Sequence, residues 1–532
     1  MKQFGSREVM GKLAIKQTLV AALVAAVGCV SIIALILTLA QHHKADLPPG
    51  FQYGMVFDAG STHTALFLYQ WPGGKENNTG VVSQVLVCHV DGPGISSYGP
   101  DPPGAGRSLT PCLDVAGDAV PPGQRGATPV YLGATAGMRL LALQNATRSS
   151  QVLEEVAKTI QRYPFDFRGA RILSGTEEGA YGWITINYLL EGFIKGKWLH
   201  PAGAEILGAL DMGGASTQIA FRPREPAQEP ESAARFRLYG FDYDVYTHSY
   251  LCYGKEQAMK RLQAELRQAS GRNRTTDPLK VVFFFNFHMG YKCSYVTQAN
   301  FSQRINHPCY HMGFELTVTL GDLYASPCIR KPAQFDPAAN VTFFGSGDPQ
   351  RCLALVRKIF NFTECRFPPN CAFNGVYQPA VNGYFFAFSA YFYTFNFLGL
   401  APRAPLDRVN STIDAFCRKS WKTVKAEHPK EKENYLQDYC ASAVYMTTIL
   451  LEGYRFNESW DNIYFQKKAA DTDIGWTLGY MLNLTNLMSR ETPPAVTGVL
   501  AEQWAAGIFF ISFAVFLSFL ILILLFSWNP DY

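Results

Sequence analysis

The 532-residue sequence predicts an α/β protein held in a membrane at both ends. Three observations carry this. Apolar runs closed by turn residues alternate with helical patterns such as 152–161 and 257–268, which is the α/β rhythm. A unit of strand, acid, glycine turn and hydroxyl occurs twice, from Asp58 and from Asp211. Two uncharged stretches of about 22 residues, 19–40 and 505–526, are each long enough to cross a bilayer.

Composition supports a folded chain. With 48% hydrophobic and 17% charged residues there is ample material for buried cores, which excludes disorder. A formal charge of +4 with no basic stripe excludes nucleic acid as a partner.

The N-terminal stretch reads as a retained anchor, since no small-residue cleavage site follows Ala40. Lys2, Arg7, Lys12 and Lys16 precede it, so the positive-inside rule keeps residues 1–18 in the cytosol. The intervening residues then face outward, and the second span returns 527–532 to the cytosol. A multi-pass plasma-membrane protein with both termini inside is the expectation. Nine Asn-x-Ser/Thr sequons in the outer segment agree: Asn77, Asn145, Asn273, Asn300, Asn340, Asn361, Asn410, Asn457 and Asn483.

Cysteine usage points to the same compartment. Of 12 cysteines, Cys29 lies in the first span and the rest lie outside. Cys88 with Cys112, Cys365 with Cys371 and Cys417 with Cys440 are plausible local bridges. Cys252, Cys293, Cys309, Cys328 and Cys352 are left to form two more, with one thiol over. Metal binding is disfavoured because paired C-x2-C units are lacking.

The two hairpins carry the chemistry. Tyr53–Phe57 leads into Asp58-Ala59-Gly60-Ser61-Thr62, and Ile206–Leu210 leads into Asp211-Met212-Gly213-Gly214-Ala215-Ser216-Thr217. Strand-like composition resumes after each turn, so both read as hairpins with a loop at the tip. Glycine brings backbone N–H groups close to a ligand and the hydroxyls add donors, a set suited to phosphate. An aspartate at the strand end suits a divalent cation, and Asp58 and Asp211 would share one ion. One copy would be an ordinary turn whose acid bonds its own backbone. Two copies in the same context are what a duplicated phosphate-binding unit requires.

Two further segments join them. Gly133-Ala-Thr-Ala-Gly-Met-Arg-Leu-Leu141 leads small residues into a helix, as at a ligand-facing helix start or a tight packing corner. Ser174-Gly-Thr-Glu-Glu-Gly-Ala-Tyr-Gly-Trp183 sets Glu177 and Glu178 between glycines. One of these acids is a candidate general base near bound phosphate; the plain alternative is a solvated helix start where Glu suits the dipole.

Together with Asp473-Ile-Gly-Trp-Thr-Leu-Gly-Tyr-Met-Leu-Asn483, these segments make the chain resemble the ecto-nucleoside triphosphate diphosphohydrolases. These are membrane-anchored apyrases of the actin, sugar-kinase and heat-shock-ATPase superfamily, and the ecto-ATPase and hepatic subtypes are most similar. The resemblance implies two RNase H-like α/β domains, 46–174 with 467–492 and 175–466, with nucleotide and metal in the cleft. It implies Glu178 as base, Ser216 and Gln218 positioning the water, and Asp58 and Asp211 organising Ca2+ or Mg2+. Gly60, Ser61, Thr62, His63, Gly213, Gly214 and Ala215 would hold phosphates, with Thr135 near the reacting end.

Tyr393 would stack on the base, and Trp476 would brace the site. Lys255 and Tyr435 stand where relatives often carry arginines. The stretch 275–303 looks inserted relative to relatives and supplies the odd Cys293; a tolerated loop, a dimer contact and a folding-impairing splice segment are its readings. Bridges among Cys252, Cys309, Cys328 and Cys352 then remain to be paired. The implied reaction is extracellular hydrolysis of ATP and other nucleoside triphosphates to phosphate, with diphosphates and homo-oligomers left open. The rivals are a weakly catalytic nucleotide-binding receptor and an acceptor-using kinase of the same superfamily.

Overall fold

The computed structural model describes residues 3–40, 44–46, 50–73, 81–193, 206–226, 229–274, 303–487, 495–497 and 501–527. It divides into a membrane unit built from the two ends and a body spanning most of 51–489.

In the membrane unit, helices Gln3–Ala40 and Ala501–Ser527 contain apolar stretches Thr18–Thr38 and Ala505–Leu525, with mean hydropathies of 2.9 and 3.1. Either can cross a bilayer by length and composition. They touch where Gly28 has no side chain: a Cβ there would stand 3.3 Å from that of Ser518. A short antiparallel pair, Lys44–Asp46 with Ala495–Thr497, belongs to the same unit.

The body is built on two main sheets. The first uses β1 (Phe51–Ala59), β2 (Thr64–Pro72), β3 (Ser83–Val90), β4 (Pro129–Ala134) and β5 (Asp166–Ile172), in the order β3-β2-β1-β4-β5. β1, β4 and β5 are mutually parallel, and β2 with β3 is antiparallel. The second uses β6 (Gly208–Met212), β7 (Ser216–Phe221), β8 (Ala233–Leu238) and β9 (Phe241–Leu251). Beyond a three-stranded sheet of β10 (Gln303–His307), β11 (Glu315–Thr319) and β12 (Asn340–Gly345), the chain returns to it with β13 (Phe385–Ser389) and β14 (Ile463–Phe465). Its order is β14-β13-β6-β7-β9-β8. β6 is parallel to β13 and antiparallel to β7.

Apart from the added edge strand β8, the two orders are the same. A hairpin strand sits between an antiparallel meander on one side and two parallel strands on the other. The repeat seen as two short motifs is thus a repeat of whole sheets.

Local chemistry fixes the helices. α1 (Pro102–Ala119) opens on two prolines, and α2 (Ala136–Gln144) follows β4 through Thr135. α3 (Ala146–Ile160) is capped by the Asn145 side chain, which accepts from the Arg148 N–H. Val152, Val156 and Ile160, four residues apart, give α3 its buried stripe. α4 (Gly175–Leu189) starts in a full capping box: Ser174 Oγ accepts from Glu177 N–H at 3.2 Å and the Glu177 carboxylate from Ser174 N–H at 2.9 Å. α5 (Lys255–Arg274), α6 (Ala390–Phe397), α7 (Tyr439–Thr448) and α8 (Trp476–Leu487) follow.

α4 and α8 form a central layer between the sheets. One buried cluster joins Val56 and Tyr69 of the first sheet, Trp183 of α4, Ala220 of the second sheet and Met481 of α8. The crossing is close because a Cβ on Gly479 would fall 2.0 Å from the Tyr181 carbonyl. The Thr185 hydroxyl accepts from Gly479 N–H and donates to Gly475 O.

Five disulfides join Cys88–Cys112, Cys252–Cys328, Cys309–Cys352, Cys365–Cys371 and Cys417–Cys440. Cys29 is the one free cysteine among the described residues. Cys293, most of 275–303, Asn77 and Asn300 lie outside those residues, as does the Asn273 side chain. Asn145, Asn340, Asn361, Asn410 and Asn457 are exposed. Asn483 is different: it is half-buried on α8 and its Thr485 is fully buried, a poor place for a glycan on the folded chain.

Candidate active site

Both acids stand at the ends of parallel strands. Asp58 lies beside Gly133 of β4, and Asp211 beside Phe388 of β13. Such strand ends are where open α/β sheets bind ligands. Each neighbouring strand leads into a helix: Thr135, just past β4, precedes α2, and Ser389, the last residue of β13, precedes α6. Thr135 N–H is tied to Ala59 O at 3.1 Å, so its segment is pinned to the first loop.

The loop tips face each other. A Cβ on Gly214 would lie 2.5 Å from Thr62 Cγ2, 2.8 Å from Ser61 Oγ and 3.5 Å from the Glu256 carboxyl carbon. Gly137 is equally necessary, for its Cβ would come 2.7 Å from Ser61 Cα. The second loop is cradled from behind: Lys255 N–H donates to Gly213 O and Glu256 N–H to Gly214 O, both at 2.9 Å. Ser61 and Thr62 of the first loop therefore meet Gly214 of the second across a narrow gap. In sequence Gly60 and His63 flank the first pair, and Gly213 and Ala215 flank Gly214. His63 Nδ1 is 3.0 Å from Thr62 Oγ1.

The capping box separates the two glutamates. Glu177 turns outward and pairs with Arg171 at 2.8 Å. Glu178, one residue on and 100° round the helix, is only 7% exposed. It is held by the Arg139 guanidinium of α2 and by Gln218 Nε2 at 3.1 Å. Gln218 Nε2 also donates to Ser216 Oγ at 2.7 Å, so Glu178, Ser216 and Gln218 converge on one point. The solvated-helix-start reading describes Glu177 and fails for Glu178.

Burial pushes Glu178 up to about 8; the Arg139 charge opposes this, while Asp211 and Asp58 add to it. Burial likewise raises Asp58 to about 6, opposed by the Trp476 indole. Asp211 also rises to about 6, by burial first, with Ser389 opposing and Asp58 adding to the rise. The three acids thus lie within electrostatic reach of one another.

Asp58 Oδ1 and Asp211 Oδ1 are both buried without a hydrogen-bond partner. Two buried carboxylate oxygens without protein partners suit a hard divalent cation, which takes oxygen ligands. Among the described residues no three acidic, His or Cys side chains converge to hold a metal alone. A cation here would need further oxygens, such as phosphate or water.

Tyr393 lies on α6, 51% exposed, with Lys467 Nζ 5.9 Å from its ring centroid. Its neighbour Tyr391 turns inward, 3.5 Å from Thr217 Oγ1. The two departures from the expected arginines come together: Lys255 Nζ is 5.6 Å from the Tyr435 ring and 3.6 Å from Asp438. Trp476 packs against the site, since a Cβ on Gly133 would lie 2.3 Å from its ring.

Sequence reasoning missed Arg139, Ser389, Glu256 and Ser249. Arg139 had a signal, a lone cation in an apolar helix start. The other three carried none, because only tertiary contacts bring them to the loops.

Comparison with known proteins agrees with this geometry. The model of the GDA1/CD39 (nucleoside phosphatase) family matches residues 47–496. The chain is 48% identical to ectonucleoside triphosphate diphosphohydrolase 8 of Gallus gallus, over 97% of this chain and 99% of the relative. It is 45% identical to ectonucleoside triphosphate diphosphohydrolase 2 of Homo sapiens, over 86% and 87%. Among solved structures, a nucleoside triphosphate hydrolase from Neospora caninum superposes with a TM-score of 0.58 at 15% identity, covering 90% of this chain and 98% of that one, a likeness of fold. With facing glycine loops, a buried carboxylate beside them and a family match over residues 47–496, this chain belongs to the GDA1/CD39 nucleoside phosphatase family.

Proposed function

We propose that the chain hydrolyses nucleoside triphosphates, and diphosphates as a further substrate, by attack of a water held by Glu178, Ser216 and Gln218. The class, a nucleoside triphosphate diphosphohydrolase, follows from the family and from relatives of that name. The mechanism rests on one observation: a buried carboxylate within electrostatic reach of two aspartates, each with one buried oxygen left without a partner, beside facing glycine loops.

Backbone N–H groups and hydroxyls of 60–63 and 213–215 orient the phosphate chain, with Thr135 at its reacting end. Glu178, when ionised, takes a proton from the water as oxygen bonds to the terminal phosphorus. The phosphoanhydride bond breaks, and the shortened nucleotide leaves with phosphate as the other product. Asp58 and Asp211 would hold Ca2+ or Mg2+, which when bound offsets phosphate charge. Tyr393 offers an open ring face to the base, and stacking tolerates different bases. The apolar helices and disulfides support a cell-surface enzyme whose body faces outward.

Intact cells expressing the chain, given ATP in the medium, should release phosphate. EDTA and Glu178→Gln should each remove nearly all of it, about 10²-fold or more for the missing base. Unchanged release with Glu178→Gln would sink this reading.

A further inference from the structure

Ser249 lies outside every motif yet touches two groups of the site. It sits on β9 directly opposite Gln218 of β7, so both side chains leave the same face of the sheet. Gln218 Nε2 donates to Ser249 Oγ at 2.8 Å, and Arg139 Nη1 approaches the same oxygen at 3.4 Å. One hydroxyl thus meets the carboxamide that flanks the base and the guanidinium that pairs with it.

The fold keeps space for this contact. A Cβ on Gly175 would fall 2.2 Å from Ser249 Cβ and 2.6 Å from Arg139 Nη1, and one on Gly179 would fall 2.6 Å from Thr247 Oγ1. Two glycines one helical turn apart let α4 settle onto alternate residues of β9. Thr247 Oγ1 bonds only the Thr176 carbonyl at 3.2 Å, as a packing hydroxyl does.

The Gln218 amide explains what Ser249 is for. Its Nε2 has two hydrogens and faces three oxygens, on Glu178, Ser216 and Ser249, while Oε1 is buried without a partner. With Ser249 present, the nitrogen is held toward these three oxygens and Oε1 stays buried without a protein partner. Without it, the amide loses the neighbour that sets which end faces which way.

We propose that Ser249 is a positioning residue for hydrolysis, fixing the Gln218 carboxamide and the Arg139 guanidinium so that the water lies in line with Glu178. This rests on the Glu178 reading above. The test uses the full-length chain in membranes with ATP. Ser249→Ala should lower kcat about tenfold to a hundredfold, the usual effect of losing such a supporting partner. KM should stay within about twofold, as expected when ground-state binding is untouched. In a Gln218→Ala background the same change should add little, because the residues act as a unit. Thr247→Val, which removes the packing hydroxyl on the same face, should leave kcat in place.

A Ser249→Ala enzyme with wild-type kcat overturns the proposal, as do losses that multiply with Gln218→Ala. Should Ser249→Ala fail to reach the surface, Ser249→Cys decides, keeping the shape while weakening the acceptor. Glu178→Gln separates the two ideas. Full activity in Glu178→Gln ends both; an inactive Glu178→Gln beside an intact Ser249→Ala ends only this one.

Discussion

Glu178 sits where a carboxylate is hard to ionise, buried and near two more acids, and the Arg139 charge opposes them. As the proposed base, Glu178 works only when ionised, so the rate should fall as pH drops through its titration. Arg139→Ala removes the group that lowers Glu178, so the acid limb of the pH–rate profile should move to higher pH and kcat should fall. An unmoved limb would show that the ion pair does not set the state of the base. Breaking a buried pair from one side also destabilises, by about 3–5 kcal/mol, so surface expression must be measured alongside. At this scale the sequence was half legible. Spacing exposed Glu177 and Glu178 as a pair, but only the capping box, itself readable as Ser-x-x-Glu, explains why the first is spent on the helix and the second turns inward.

The element that brings the site together is α4, and its glycines are the means. Gly175 and Gly179 flank the two acids in sequence, and in the structure they let α4 close onto β9 at Ser249 and Thr247. Gly175→Ala should therefore push the helix start outward, at about 1–3 kcal/mol for overpacking, and depress kcat more than Tm alone would explain. A thermal melt with kinetics on the same sample checks this; an unaltered enzyme would mean the contact is loose.

The turn after β9 is a second such element. Cys252–Cys328 fixes the segment whose Lys255 and Glu256 N–H groups hold the second loop. Replacing both cysteines by serine should destabilise by about 2–5 kcal/mol, read from the melt, and weaken nucleotide binding with it. Which cysteines pair here was not legible, since four sulfurs widely spaced in sequence allow several bridges.

For the molecule as a whole, the repeat was the most legible feature and also the most understated. Two short signatures mark two sheets of the same order, because the acid and its glycine turn must recur where chemistry recurs. The flanking strands need only be apolar and so drift apart. The same duplication makes the folded body sensitive to charge. Asp58, Asp211 and Glu178 all have folded values above their unfolded ones. Their contribution to stability is therefore full below about pH 4 and is lost as pH rises through 6 to 8. In EDTA the Tm contribution from this site should fall over that window. Ca2+ at a hundred times its Kd should return about 2.7 kcal/mol at pH 8 and little at pH 5, where the acids are protonated. Equal stabilisation at both pH values would contradict an ion held by these acids.

The central claim is that two related loops close on one cation and one polyphosphate. Phosphate release from ATP, titrated with Ca2+ for Asp58→Asn, Asp211→Asn and the double variant, tests it most directly. A shared ion predicts that each single change raises the half-saturating cation concentration by about tenfold or more and that the double is little worse than either. Wild-type cation dependence in one single variant, or shifts that multiply in the double, would contradict it.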